Sequence, residues 1–419
     1  MRWDSQRYRW IGRRLPRETE RRLVVVTGAR QTGKTTLARD RFPKLRYFNL
    51  DDLDLRAQLG SLSASAWAAQ VGPAILDEAQ KEPRVFDKVK YAYDAGDVDF
   101  TVLLGSSHFL LLEQVRESLA GRAFLHELWP LMPSEILHSA REAPEFPLLG
   151  RILAADVPME ELLGSEPETL LGSENADRRT VLAHVASWGG MPELLRLDDE
   201  QRREWLRSYR QTFLERDLAD LARLRDLEPF RKLQRLCMLR TGKLLSYSDL
   251  ARDAGIGATT ARRYLEYLRN SYQVVLLQPY TRNLTSSAVK SPKLFWVDLG
   301  PLRQATRQWG ELNGELFETL VVAEVHKWIS TMAPDTGLYF YRTRSGLEVD
   351  LLVDTPAGII GLEVKNHEGV RGPDTTAMRQ VARSLGRDWL GGLLVYRGDR
   401  LQQVDDEARI WAVPAHRLF

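Results

Sequence analysis

One cysteine in 419 residues, Cys237, leaves no partner for an internal disulfide. Histidine is scarce as well: the seven in the chain are scattered, and none falls at the spacing of a structural zinc site. No run reaches the roughly 20 apolar residues that a membrane-spanning helix needs, and the arginine-laden start has no apolar stretch of the signal-peptide kind. These shortages argue against disulfide-stapled, zinc-stapled and membrane-spanning classes. The expectation is a soluble cytoplasmic protein with no membrane partner. Lysine is short too, 11 against 48 arginines, so a single arginine says little about a partner. The net charge of +2 likewise leaves the whole-molecule field uninformative. What the chain does have is 43% apolar residues and a length beyond one ordinary core, which predicts two or three domains.

Charge is concentrated at the start. Residues 1–22 carry Arg2, Arg7, Arg9, Arg13, Arg14, Arg17, Arg21 and Arg22 against three acids, with Trp3, Tyr8 and Trp10 interleaved. Arginine beside aromatics suits phosphate contact and base stacking, so this basic arm is one candidate nucleic-acid contact. The competing reading is a helix packed on the core.

The next stretch, LVVVTGARQTGKTTLARD, runs from a β-branched segment through Gly28-x4-Gly33-Lys34-Thr35 into a helix-like segment. That is the phosphate-binding loop in its required strand-to-helix setting. Backbone N–H groups curl around phosphates between Gly28 and Gly33, Lys34 reaches the β/γ oxygens, and Thr35, followed by Thr36, offers a hydroxyl to Mg²⁺. ATP and Mg²⁺ are the cofactors this implies. Downstream, PAILDEAQ reads as a buried strand ending in Asp77 and Glu78, an acidic pair suited to holding Mg²⁺ through water and polarising the attacking water. A third strand, FTVLLGSS, ends at Ser106, where a side chain would sense the γ-phosphate. A helix then closes on Gly121-Arg122 before the strand AFLHELWPL.

In the middle, residues 201–235 are strongly helical. SYSDLARDAG, the turn GIG and the helix ATTARRYLEYLRNS follow, with Ala261, Leu265 and Leu268 on one face and Arg262, Arg263 and Arg269 outside. Strand-like VVLLQPY and KLFWVDLG flank a basic loop. Helix, turn, helix and two-stranded wing is the winged-helix plan, whose second helix can enter a DNA major groove; the same plan also serves as a protein-binding module or an ATPase lid.

From 311, ELNGELFETLVVAEVHKWI predicts an amphipathic helix, followed by strands YFYRT, LEVDLLVD and IIGLEVK, a helix near 374–386 and the strand GGLLVYR. If TPAG is the turn, Asp354 pairs with Ile359. Asp350 then faces Glu363 and Glu348 faces Lys365, while Val349, Leu351, Val353, Ile360, Leu362 and Val364 share one buried face. Opposed carboxylates on a strand pair are destabilising unless something compensates. A divalent ion held by Asp350 and Glu363 would do so, with Lys365 beside it. The alternative is a wet face carrying a Glu348–Lys365 ion pair.

The N-terminal order of strands and motifs resembles the AAA-type ATPases. That resemblance implies that Arg122, or alternatively Arg116, is an arginine finger entering a neighbouring subunit's site, and hence a homo-oligomeric ring, a hexamer among its forms. Its alternative is a surface salt bridge. The C-terminal order resembles the PD-(D/E)xK nuclease core. The site this implies is Glu318, set in a GxxFE-like context, with Asp350, Glu363 and Lys365, and Glu324 as a further helix acid. TGARQTGKTTL, ILDEAQ, LLGSS, SLAGRA, WPLMPSEIL, GGMPELL, FLERDL and EVD with EVK together resemble a large prokaryotic family of AAA-type ATP-binding proteins with a nuclease-like C-terminus. The expected fold class is α/β. Its segments are a basic arm (1–22), a P-loop AAA-type core (23–137), a linker or lid-like helical segment (138–200), a winged-helix-like domain (201–303) and a nuclease-like domain (304–419). The expected function is ATP hydrolysis coupled to DNA binding and remodelling or translocation, including on branched DNA. Alternatives are an ATP-gated metal-dependent nuclease and a nucleotide switch that binds a protein.

Overall fold

A computed structural model of the chain describes residues 6–106, 111, 114–115, 117–154, 156–222, 227–281 and 291–419, with the backbone alone described at 213–222. Arg116, residues 1–5 and most of the expected basic wing loop (282–290) lie outside the described residues.

The first sheet is built around the valine run. Strand β1 (Arg22–Thr27) is followed by the phosphate loop, α1 (Lys34–Arg41), β2 (Arg46–Asn49), β3 (Ala74–Asp77), α2 (Arg84–Ala95), β4 (Phe100–Gly105) and β5 (Ala123–Glu127). The strands lie in the order β2-β3-β4-β1-β5, every pair parallel. Leu23 and Val25 enter one apolar layer and Val24 and Val26 the other, so β1 is buried on both faces, as a central parallel strand must be. β4 sits between β1 and β3. The loop after β1 and the acidic end of β3 therefore open on the same edge of the sheet, where ligands of such sheets bind.

The second half begins with α3 (Asp199–Ala222) and α4 (Glu228–Leu239), continues through β6 (Lys243–Leu244), α5 (Tyr247–Ala254) and α6 (Ala258–Asn270), and returns along β7 (Val274–Pro279) and β8 (Lys293–Trp296). Ser246 caps α5 by accepting the Asp249 N–H. Ala261, Leu265 and Leu268 are buried as the periodicity requires. Then come α7 (Gly314–Met332), β9 (Gly337–Arg342), β10 (Glu348–Thr355), β11 (Gly358–Lys365), α8 (Thr376–Leu385), β12 (Trp389–Tyr396), β13 (Gln402–Asp405) and β14 (Ile410–Pro414). Nine strands form one sheet, β13-β14-β12-β11-β10-β9-β7-β8-β6. β7 runs parallel to β9 at Gln278↔Tyr339 and Pro279↔Phe340, so the boundary expected at 303/304 falls inside a continuous sheet.

Three expectations are corrected by packing. The arm at Gln6–Arg22 is not a free basic segment: Trp10 is wholly buried, its Nε1–H donates to Ser134 Oγ, and its ring meets Phe146 and Trp328 edge-on. Arg9 pairs with buried Glu135, and Arg13 lies over the Trp10 and Phe146 rings. Helix α7 is not amphipathic in its setting but buried nearly all round, because it lies between the first sheet, reached through Trp129 against His326, and the second. The β10–β11 hairpin keeps the expected register, from Thr355↔Gly358 to Leu351↔Leu362, but both of its faces are covered. Leu351 and Val353 join one apolar cluster; Val349, Leu352 and Ile359 join the other, with Met378 and Val381 of α8. An irregularity between Val349 and Leu352 moves Val349 to the face opposite the one alternation predicts.

Residues 140–180, the least legible part of the chain, brace the C-terminus. Leu401 N–H donates to Glu168 O, Arg417 donates to Pro167 O, and His416 meets Asn175 at 2.8 Å. The GGMPELL motif is a junction. Gly189 adopts φ 82°, and a Cβ there would lie 1.7 Å from Asp298 Oδ1, while the Gly190 N–H donates to the other oxygen of Asp298.

Candidate functional site

The phosphate loop is shaped by its glycines. Gly28 has φ 155° and lies so close to Leu128 that a Cβ would come within 2.1 Å of its carbonyl oxygen; Gly33 is left-handed at φ 95° and opens α1. Lys34 is buried and donates to the carbonyls of Gly28 (2.9 Å) and Ala29 (2.8 Å), curled back on the loop. Thr35 Oγ1–H donates to Asp77 Oδ2 at 2.5 Å, which joins the start of α1 to the end of β3. Tyr47 OH donates to the same oxygen at 2.8 Å, and burial followed by Asp77 pushes the Tyr47 phenol up. Glu78 takes a left-handed backbone at φ 51°, sparsely populated for a non-glycine residue and a mark of functional positions. Its carboxylate accepts from Gln80 Nε2 (2.5 Å) and Ser106 Oγ (3.2 Å). Lys34, Thr35, Thr36, Asp77 and Glu78 line one cleft of about 760 Å³.

This donor set fits a Mg²⁺–nucleotide. A hydroxyl and a carboxylate converge on the oxygen-rich pattern Mg²⁺ prefers, and the buried ammonium of Lys34 spends its hydrogen bonds on backbone carbonyls that phosphate oxygens can replace. Arg122 lies outside this cleft. Its guanidinium makes a bidentate pair with Asp94 of α2 (2.6 and 2.9 Å), at a partly exposed position.

On α6, Arg262, Arg263 and Arg269 are all exposed. Arg262 lies over the Tyr247 ring at 4.4 Å, and Arg269 pairs with Glu266 at 2.7 Å.

At the C-terminal cluster, the structure brings the acids together but pairs them differently from expectation. Lys365 bonds Glu363 at 2.7 Å rather than Glu348, because the β10–β11 ladder stops at Leu351 and the start of β10 turns towards β9. Glu348 instead meets Arg342 (3.2 Å) and Lys293. Lys293 also donates to Glu318 Oε1 at 2.9 Å and is only 3% exposed. Burial works against its charge, but Glu318, Asp350 and Glu348 outweigh burial and raise its pKa. Asp350 Oδ2 accepts the Val364 N–H at 2.8 Å. Burial first and Asp350 second lift Glu318 to about 7 and Glu363 to about 8. Glu324 stands apart, buried and paired with Lys327 at 2.7 Å.

Among the described residues no three or more His, Cys, Asp or Glu gather to hold a metal. A two-carboxylate site fits better: Glu363 Oε2 is buried with no hydrogen-bond partner beside Asp350, whereas Glu318 and Glu348 are already taken by Lys293.

Sequence reasoning missed Lys293, Tyr47, Gln80 and Tyr272. A lysine opening the apolar strand KLFW was the one available signal for the first. Tyr272, buried at φ 63°, places its hydroxyl against Thr27 Oγ1 at the end of β1.

Parts of the chain match known families. Residues 20–137 match the AAA domain family, residues 179–311 a domain of unknown function (DUF8612) and residues 313–418 another (DUF4143). Uncharacterized proteins of Mycobacterium bovis and Mycobacterium tuberculosis are each 28% identical over 412 residues, covering 95% of this chain and 81% of theirs. The Walker-type ATPase of Pyrococcus abyssi, 17% identical, covers 69% of this chain and 92% of its own with a TM-score of 0.41. The fold is mixed α/β: an AAA-type, P-loop ATPase-like domain on a parallel sheet, followed by a C-terminal sheet domain. No helix among the described residues is long and apolar enough to cross a membrane.

Proposed function

We propose that this chain is an AAA-type ATPase that assembles with copies of itself and couples ATP hydrolysis to binding and remodelling DNA. The observation that carries the reading is the convergence of Lys34, Thr35, Asp77 and Glu78 in one cleft, with Thr35 and Asp77 joined at 2.5 Å. When ATP enters, Lys34 exchanges its bonds to Gly28 O and Ala29 O for phosphate oxygens, and the loop N–H groups bind the remaining charge. Thr35 and Asp77 would hold Mg²⁺, which would supply neutralisation of the phosphate charge. Glu78 orients the attacking water; Gln80 and Ser106 fix the aim of its carboxylate. Arg122 serves a neighbouring copy's nucleotide once it leaves Asp94, and stabilises charge on the transferred phosphoryl group. The exposed arginines of α6 supply the DNA contact, through phosphates rather than base edges.

The experiment measures ATPase rate and DNA binding together, on duplex, single-stranded and junction DNA. Lys34→Ala should abolish turnover, and Arg122→Ala should lower it while sparing nucleotide binding. Arg262→Ala/Arg263→Ala should weaken DNA binding and flatten its salt dependence. Wild type that binds none of these DNAs would sink the DNA half. The orphaned Glu363 Oε2 beside Asp350 favours one second reading, a divalent-ion-dependent nuclease. Nicking by wild type that disappears in Asp350→Ala while ATPase persists is the outcome that reading requires.

A further inference from the structure

The cleft around the phosphate loop is walled by more than the phosphate site uses. Its lining includes Arg9 from the N-terminal segment, Pro192 and Arg196 after the glycine junction, and Trp205 and Tyr209 on α3. Trp205 and Tyr209 are four residues apart, so a helix places them on one face. Their rings stack with centroids 5.1 Å apart and an interplanar angle of 7°. Tyr209 is buried, Trp205 half-buried, and the pair backs onto Trp188, Met191, Leu194 and Leu206, which fixes its orientation. Neither ring takes part in the chemistry of Lys34, Thr35, Asp77 or Glu78. A flat aromatic surface of fixed orientation, open to a cleft that binds phosphates, is suited to one part of a nucleotide, its base. Base–aromatic stacking adds affinity and tolerates any base, because every base presents a π-face.

Resting on the reading of this cleft as a nucleotide site, we infer that Trp205, supported from behind by Tyr209, stacks on the base of the bound nucleoside triphosphate. The phosphate loop binds one end of the ligand and α3 the other. Occupancy of the site thereby reaches the helix that leads into α4, α5 and α6.

The test is isothermal titration of the full chain with Mg²⁺–ATP and with inorganic tripolyphosphate, which carries the charge and lacks the base. Wild type should bind ATP more tightly than tripolyphosphate. Trp205→Ala should weaken ATP by at least about fivefold and leave tripolyphosphate unchanged, which also shows that the phosphate loop remains folded. Trp205→Phe, which keeps a ring, should hold most of the affinity for ATP. The inference is overturned if Trp205→Ala binds ATP as wild type does, or if wild type holds the two ligands equally. If wild type binds neither, the nucleotide reading of the cleft falls and this inference goes with it.

Discussion

Lys293→Met isolates the charge that holds the C-terminal cluster together. Lys293 is shared by Glu318 at 2.9 Å and Glu348, whose side chains are only 18% and 25% exposed. Methionine is unbranched and close to lysine in length, so it fills most of the same space while removing the ammonium, which lies 5.9 and 5.6 Å from the Phe295 and Phe340 ring centroids. Glu348 retains Arg342, and the uncompensated charge therefore falls mainly on Glu318. Breaking a buried ion pair from one side costs roughly 3–5 kcal/mol while the orphaned charge persists, but a Glu318 that titrates at about 7 escapes by protonation, so the loss at pH 8 is limited to about 1.4 kcal/mol, at 1.36 kcal/mol per pH unit. For a cooperative unit of 150–250 residues that corresponds to about 3–6 °C in Tm. The deficit must also depend on pH. Burial first and Asp350 second already raise Glu318 above its ordinary 4.5 to about 7, against the pull of Lys293, and losing the lysine raises it further. A carboxyl whose folded pKa is raised favours folding below its unfolded value, and that contribution is lost as pH rises through the folded value. Thermal unfolding at pH 5 and pH 8 should therefore show the variant close to wild type at the lower pH and well below it at the higher. Lys293→Met/Glu318→Gln should recover most of the loss at pH 8. A deficit below about 0.5 kcal/mol at pH 8, or an equal deficit at both pH values, would refute the reasoning.

Trp10→Ala removes a wholly buried ring and its bond to Ser134, and should cost about 3–5 kcal/mol in urea unfolding; a cost under about 1 kcal/mol would return the arm to the status of a free segment. Burial raises Glu127 from 4.5 to about 7, so its contribution to stability is present below pH 4.5 and lost as pH rises through 7. Glu127→Gln should flatten the pH dependence of unfolding across that window by up to roughly 3 kcal/mol, at 1.36 kcal/mol per pH unit; parallel wild-type and variant curves would count against it.

The phosphate loop was readable from sequence because its chemistry is local: a valine strand, two glycines, Lys34 and Thr35 all lie within a dozen residues of one another. The β10–β11 register was readable because a two-residue turn leaves few pairings for the strands it joins. What sequence did not reveal depends on distant parts of the chain. The arginines and tryptophan of the arm looked free because Glu135 and Trp328, which bury them, are remote in sequence. Glu348 looked destined for Lys365 because nothing near it announces Lys293, at the far end of another segment. The covered outer face of the hairpin depends on α8, whose apolar side has no address until the sheet exists.

The nine-stranded sheet bears on how such a protein can evolve. Family matches divide the second half near residue 312, yet β7 and β9 hydrogen-bond directly across that division. Cutting there would leave each half with a raw strand edge, an invitation to pair with other chains. The helix–turn–helix segment and the C-terminal segment are thus tied by backbone hydrogen bonds, such as Tyr280 N–H to Phe340 O, that side-chain substitutions other than to proline leave in place. A lineage that shuffled one of them to a new neighbour would have to supply a replacement strand in the same event, which makes joint inheritance the easier route.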